Sequence, residues 1–485
     1  MTEDGSLDVE SADNIGIHDP DQLKRKIEDL ENRLILLEFA VQDRTDEKVE
    51  LLELIQEREN SLSWKLCQVY GRIIPPGSSL TKMITAFLTR IVQVIPKKMP
   101  VSGHHHREKN ARLKGELAGI LQENKDSCRG IILVPPTCEW NIPLFQRPQQ
   151  LSLALAGLDY LVFFSSWGEK YDTVSGFHKI TNRCYITDQY PFLVEELPPF
   201  YCLLPSTYVA SGVSEIRKLK NKSVIIYDYL DEISDRIIPF PLDMLRRHHG
   251  YLLRNADIIL ATAGSLYDEA RKKRGNDVFF IPNGVEYSHF HILRDRDAIP
   301  PDLLPIISRE NPVIGYFGAF ATWFDYGLIT ELAEKRPLYE IVLIGWDYDG
   351  SMRDKGLEKY PNIHYIGPKE YAQLPAYAVW FDVCTIPFLI NEITQATSPI
   401  KLFEYMALGN PIVTTEMAEC LKYPSVLIGK THEEFIGKID QALTYRQNRN
   451  YLELLDTEAR ENTWAARAAD IDTILQSVDR KKRED

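Results

Sequence analysis

Serine, proline, lysine and glutamate fall close together in Thr394-Gln-Ala-Thr-Ser398-Pro399-Ile-Lys401-Leu-Phe-Glu404-Tyr-Met-Ala-Leu-Gly409. The stretch reads as a loop, then a helix opening at Ser398-Pro399 and stopping at Gly409, then a short buried strand. Serine is a favoured N-cap, and proline fits the first turn because its missing N–H had no partner there. Free N–H groups and the positive end of the helix dipole make such a terminus an anion site. Lys401 and Glu404 are three apart, so they project from neighbouring positions on one face. A cation beside a diphosphate, with a carboxylate accepting from a ribose diol, would suit a nucleotide-sugar. The same residues also fit a plain αβ unit with an ion-paired surface glutamate.

Other groups could take part. Asp228, Asp231 and Glu232 crowd the end of one expected strand. Clustered carboxylates raise one another's pKa, which suits a proton acceptor, although Asp228 or Asp231 could equally cap a helix. Arg147 opens an expected helix and could face a phosphate or an acceptor. His248-His249 is a second candidate base. Gly318, in Gly315-Tyr-Phe-Gly318-Ala319, follows a strand where a small residue lets backbone N–H groups approach phosphate. This is not GxGxxG, and no acidic residue closes a second strand at dinucleotide spacing, which disfavours a nicotinamide enzyme. Asn283-Gly284 predicts a sharp turn using positive φ. Trp323, Phe324 and Tyr326 could line a cleft or simply pack.

These residues need a frame, and the chain supplies two. Short apolar runs at 130–134, 160–164, 201–204, 223–227, 257–261 and 278–281 alternate with helical stretches. After a Pro-rich joint at 294–311 the pattern restarts at 313–317, 340–344, 363–366, 383–386 and 412–414. Such alternation predicts parallel sheets covered on both faces, with ligands outside the carboxyl ends of the strands. The expected units are 110–295 and 311–434, closed by a charged helical tail at 435–485.

Residues 1–20 are acidic and expected to be disordered. Leu23, Ile27, Leu30, Leu34, Leu37 and Val41 alternate at three and four, which predicts a coiled coil over 21–70 and self-association. A helix packed on the protein's own body would show the same stripe. Residues 78–98 are expected to form an amphipathic helix with Lys82, Arg90, Lys97 and Lys98 and no acidic residue, suited to an anionic membrane surface or a protein partner. His104-His105-His106 reads as a solvated linker.

Composition narrows the classes. The 485 residues allow two or three domains, and 44% hydrophobic content is ordinary for a folded chain. A net charge of −14 argues against a nucleic-acid footprint spread over the protein. Seven scattered cysteines without a CxxC suggest reduced, buried thiols in a cytoplasmic protein. No secretory signal and no run of ~18 apolar residues is present.

Five segments together resemble family-4 glycosyltransferases of the GT-B fold, of the bacterial surface-polysaccharide and teichuronic-acid type. They are Trp140 with Gln146-Arg147-Pro148-Gln149-Gln150, Tyr227-Asp228 with Asp231-Glu232, Ile281-Pro282-Asn283-Gly284-Val285-Glu286, Gly315-Tyr-Phe-Gly318, and the segment around Lys401. The resemblance spans roughly residues 129 to 475. It implies two Rossmann-like domains facing a cleft, an acceptor-side unit holding Arg147 and Asn283, and a donor-binding unit. Lys401 and the helix start would stabilise the leaving diphosphate, and Glu404 would hold the ribose. The loop at Gly367-Pro368, with Lys369 and Tyr371 nearby, would receive the nucleobase. Retention of configuration is implied, with no cofactor beyond the nucleotide-sugar. No Asp-x-Asp follows a strand as in metal-dependent GT-A enzymes, so no metal is expected. The acceptor would be a polysaccharide or lipid-linked oligosaccharide. Many members carry two glutamates with seven residues between them, the first touching the sugar and the second the ribose; counting back from Glu404, the first position is Ala396 here. Asn391, Glu392 and Thr394 are the candidates to hold the sugar instead. A nucleotide-sugar epimerase or phosphorylase on the same fold, or a non-catalytic sugar-binding scaffold, are the competing readings.

Overall fold

The computed structural model describes residues 103–484, apart from 144, 169, 207–212, 221 and 235–241. The expected disorder of 1–20, the coiled coil and the basic segment 78–98 lie outside the described residues.

Short runs of branched and aromatic residues form strands here because both sheet faces are covered. The first sheet contains β1 (Gly130–Val134), β2 (Tyr160–Ser165), β3 (Phe177–Lys179), β4 (Cys184–Thr187), β5 (Phe200–Pro205), β6 (Ser223–Tyr229), β7 (Ile258–Ala261) and β8 (Val278–Phe280). Their order is β3-β4-β2-β1-β5-β6-β7-β8, all parallel except the β3–β4 pair. Successive residues of β1 go to opposite faces: Ile132 and Val134 join one core cluster, Leu133 the other.

The second sheet contains β9 (Val313–Phe317), β10 (Glu340–Ile344), β11 (Ile363–Tyr365), β12 (Val383–Ile386), β13 (Ile412–Thr415) and β14 (Val426–Gly429). It is fully parallel, in the order β11-β10-β9-β12-β13-β14. The chain reverses its winding direction at β9, and a crevice opens at such a switch point.

Several expectations need correction. β3, β4 and β14 were not expected: β3 is the polar, half-exposed Phe-His-Lys and adds an antiparallel edge, whereas β4 and β14 are no shorter than expected strands such as β7 and β13. His104, His105 and His106 are not in a linker but within the helix Gly103–Asn124, whose later Leu113 and Leu117 are buried. The tail divides. Helices His432–Tyr445 and Arg449–Glu461 pack on the second sheet's unit, whereas Trp464–Glu484 returns to the first. There Trp464, Ile471 and Leu475 join the core under β1, β2 and the helix Arg147–Gly157. Asp472 holds it in place, accepting from Arg129 and Tyr160, each at 2.8 Å.

Asn283 and Gly284 do not use positive φ. Gly284 is required for a different reason: a Cβ there would sit 2.9 Å from the main chain of Asn462 and Thr463, which crosses it.

Candidate active site

The two sheets face each other across a cleft of about 400 Å³ at the carboxyl ends of their strands. The helix Ile400–Leu408 points its first turn into this cleft. It starts later than the sequence suggests. Pro399 is the N-cap and has no side-chain cap, while the Ser398 hydroxyl is turned to the other half, accepting from the Asn283 N–H at 3.3 Å.

Lys401 and Glu404 both line the cleft. The Lys401 ammonium lies 4.9 Å from the Phe388 ring and 5.5 Å from the Tyr316 ring, with no ion pair among the described residues. Burial draws its pKa down, and the charge of Glu404 opposes that shift only in part. Glu404 is 5% exposed and has no hydrogen-bond partner among the described residues. Burial pushes its carboxyl up to about 8, with Lys401 pulling the other way. Two ionisable groups desolvated without direct partners are a costly arrangement, characteristic of a site that awaits a ligand.

Gly318 makes room for this lysine. Its φ is +139°, and a Cβ there would lie 2.8 Å from Lys401 Cε and 3.0 Å from Tyr316 Oη. Gly345, after β10, was missed by sequence reading. Its φ is +144° and a Cβ would sit 1.8 Å from the Gly318 carbonyl oxygen, so the two loops approach backbone to backbone. A glycine directly after an apolar strand was the available signal.

On the facing wall the three carboxylates separate. Asp228 is not free to act as a base. It is 1% exposed and grips the Arg147 guanidinium, accepting from Nε at 2.9 and 3.1 Å and from Nη2 at 2.9 Å. Glu232 does not line the cleft; burial and the charge of Glu269 raise its pKa. Asp231 does line it. Burial, and then the charge of Asp228, raise its pKa from 3.8 to about 6.

The loop before the helix also departs from expectation. The Asn391 side chain is committed as an N-cap, accepting from Thr394 N at 3.1 Å, and does not line the cleft. Thr394 does, with its hydroxyl donated to the Leu389 carbonyl at 2.6 Å. Thr397, also unexpected, lines the cleft and donates to Ile393 O at 2.8 Å. Ala396 packs instead into the core of the first unit. Gly367 sits one residue before the cleft wall, at φ +71°, and Pro368 reaches it. His248 and His249 are buried away from the cleft, His249 against the Tyr227 hydroxyl at 2.8 Å, which removes them as bases.

Tyr371 closes one side. Its hydroxyl accepts from Gln150 of the first unit at 2.7 Å, and its ring stacks on His289 at 4.6 Å and lies 5.2 Å from Phe145. Lys369 lines the cleft with its ammonium bound to Asp302 at 2.7 Å. Trp323 and Tyr348 line the opposite end, 6.0 Å apart.

Residues 311–444, which carry this helix and both glycine loops, match the family model described as "Glycosyl transferases group 1". The chain is a GT-B glycosyltransferase. It is 26% identical over 273 residues to the putative teichuronic acid biosynthesis glycosyltransferase TuaH of Bacillus subtilis, covering 53% of this chain and 68% of that protein. Among solved structures it resembles sucrose-phosphate synthase from Thermosynechococcus elongatus, with a TM-score of 0.55 and 15% identity over 72% of this chain and 98% of that one. It also resembles Anabaena HepE in complex with UDP-glucose, with a TM-score of 0.53 and 14% identity over 72% and 99% of the two chains. At such identities the structural likeness establishes the fold of this glycosyltransferase. Among its described residues no three His, Cys, Asp or Glu side chains gather to hold a metal ion. No helix among them is long and apolar enough to cross a membrane.

Proposed function

We propose that this glycosyltransferase moves a sugar from a nucleoside-diphosphate sugar to a polysaccharide or lipid-linked oligosaccharide, retaining configuration and using no metal. The observation that carries the reading is the pair Lys401 and Glu404, desolvated, facing one cleft and lacking direct partners among the described residues. The UDP-glucose complex of HepE supports the donor class, and the name of TuaH supports a surface-polysaccharide acceptor.

In the reaction the anomeric C–O bond to the diphosphate breaks and positive charge develops on the sugar ring. Negative charge gathers on the departing phosphate oxygen. Lys401 and the unpaired N–H groups of the first helical turn stand where that charge develops, which is the role a metal ion would otherwise fill. Glu404 accepts from the ribose hydroxyls. The acceptor hydroxyl attacks the anomeric carbon from the face the diphosphate leaves, forming the new C–O bond with retention, and its proton passes to Asp231 on the facing cleft wall. Nucleotide release from a panel of nucleotide-sugars, with lipid-linked acceptor and EDTA present, tests the reading. Release only on adding a divalent ion would refute metal independence, and none with any donor would favour a sugar-binding scaffold.

Asp231 gives a pH signature. A base is needed ionised, so turnover should rise as pH passes upward through about 6. Asp231→Asn should lower turnover and remove that limb. Because the folded-state pKa is raised above its usual 3.8, the carboxylate costs stability above that pH. The variant should therefore melt higher than wild type at pH 7, with no gain below pH 3.8. An unchanged pH profile would return Asp231 to a structural role.

The assembly reading rests on the heptad-like stripe of residues 21–70 and the basic face of 78–98. Deleting residues 1–70 should lower the oligomeric state by light scattering while leaving donor binding intact; a monomeric full-length protein would end this reading. Salt-sensitive flotation with anionic vesicles, lost when Lys82, Arg90, Lys97 and Lys98 become Glu, checks the membrane contact.

A further inference from the structure

The helix bearing Lys401 has no local device that fixes where it starts. Pro399 at its N-cap has no side-chain cap and no N–H, and Ser398 before it is not used as a cap. We propose that Asn283, from the opposite half of the cleft, is the positioning residue that sets this helix start. The inference rests on the transferase reading above and assigns to Asn283 a role through Lys401, without contact to the acceptor.

Every polar group of Asn283 is committed, and its partners lie in three separate parts of the chain. Its side-chain Nδ2 donates to the Ser398 carbonyl at 2.6 Å, and its main-chain N–H donates to Ser398 Oγ at 3.3 Å. Its Oδ1 accepts from Arg147 Nη1 at 3.3 Å, and its main-chain oxygen accepts from Arg467 Nε at 3.1 Å. The residue is 9% exposed and Ser398 is 3% exposed, so water competes little for these bonds.

The grip on Ser398 comes from a rigid block. Arg147 is itself clamped by Asp228 and by the Pro282 carbonyl at 3.0 Å. Arg467 belongs to the returning terminal helix and is also bound to Asn462. The helix, the joint and the acceptor-side wall therefore meet at one asparagine. Lys401 lies three residues beyond Ser398, packed so close to Gly318 that a single methyl there would collide with it. A small slip of the helix start moves the ammonium off the phosphate loop.

Glu404 is held independently. The next residue, Tyr405, accepts the Phe317 N–H at 3.1 Å, which ties the helix body to β9. Losing the Asn283 bonds should thus disturb Lys401 more than Glu404. Because misplacement of about 1 Å can cost ~10²-fold in rate, the effect should fall on kcat.

The test compares Asn283→Ala, Asn283→Asp and Ser398→Ala for kcat, donor KM and melting temperature. Aspartate can still accept from Arg147 but cannot donate to the Ser398 carbonyl. Both Asn283 variants should lose about 30-fold or more in kcat, with donor KM within about threefold of wild type. Ser398→Ala, which removes only the hydroxyl acceptor, should lose less and carries the test if Asn283→Ala does not fold. Wild-type kcat in Asn283→Asp would overturn the inference, because the Ser398 bond would then be dispensable. A rise in KM matching the fall in kcat would overturn it as well. If wild-type protein shows no turnover with any donor, the transferase reading fails instead. The inference is then judged by calorimetry, where Asn283→Asp should weaken a nucleoside diphosphate at least about tenfold and leave the nucleoside unchanged; equal weakening of both would refute it.

Discussion

Replacing Lys401 with Ala is expected to cut kcat by about 10²–10³-fold, the usual cost of removing one preorganised group that stabilises a developing oxyanion. The ammonium stands over two aromatic rings with no ion pair among the described residues, and under the proposed reading its electrostatic partner is the leaving phosphate. Lys401→Arg should restore little, since the side chain runs so close to Gly318 that even a Cβ there would lie 2.8 Å from Lys401 Cε, a passage ill suited to a larger planar head. Glu404→Ala should instead weaken nucleotide binding by about 1.5–3 kcal/mol above pH 8, where the carboxyl is ionised, a loss typical of hydrogen bonds to a charged group. Glu404→Gln separates function from stability. The folded-state pKa of Glu404 is raised from 4.5 to about 8, so its ionised form costs stability above pH 4.5. The glutamine variant should melt at the wild-type temperature near pH 4 and gain on it as pH rises toward 8. Nucleotide affinity equal to wild type in both Glu404 variants would remove this residue from the donor site.

Asp228→Ala is expected to destabilise the protein by about 3–5 kcal/mol in chemical denaturation, the range for stranding a buried charge. Arg147 is 2% exposed, and without Asp228 it would keep only the carbonyl oxygens of Pro282 and Asn283 as acceptors. Removing both charges together, as Arg147→Met with Asp228→Leu, should recover most of that loss, because the paired desolvation penalty disappears with them. Activity should not recover, since Arg147 also lines the cleft and holds Asn283. A cost below about 1 kcal/mol for Asp228→Ala would mean that water reaches the pair, as it does in surface ion pairs.

Much of the frame was readable along the chain. The apolar runs at β1, β9, β10 and β12 carry their own boundaries, because buried parallel strands must be continuous in hydrophobic residues. β3 and β14 are edge strands and β4 lies beside β3; β3, Phe-His-Lys, has no apolar run, and pairing with a neighbour is what makes each of the three a strand. The terminal helix carries a mixture of alanine and charge that looks like a tail. Only its seat on the helix Arg147–Gly157 shows that Trp464 and Ile471 are core.

For the site, the sequence determined which residues could do the chemistry. Spacing alone puts Lys401 and Glu404 on one helix face, and a glycine after a strand marks the candidate phosphate loop. What it could not determine was which of several like groups was free. Asp228, Asp231 and Glu232 are equivalent as letters, yet one is held by an arginine 81 positions away and one is off the cleft wall. Asn391 reads as a sugar ligand until its side chain is found capping its own turn. Ser398 reads as a cap until its hydroxyl and carbonyl are found bound to Asn283, 115 positions away. The division has a physical cause. Helix periodicity and strand hydrophobicity act between near neighbours, whereas the state of a polar group depends on its burial and its partner, and only the assembled fold supplies both.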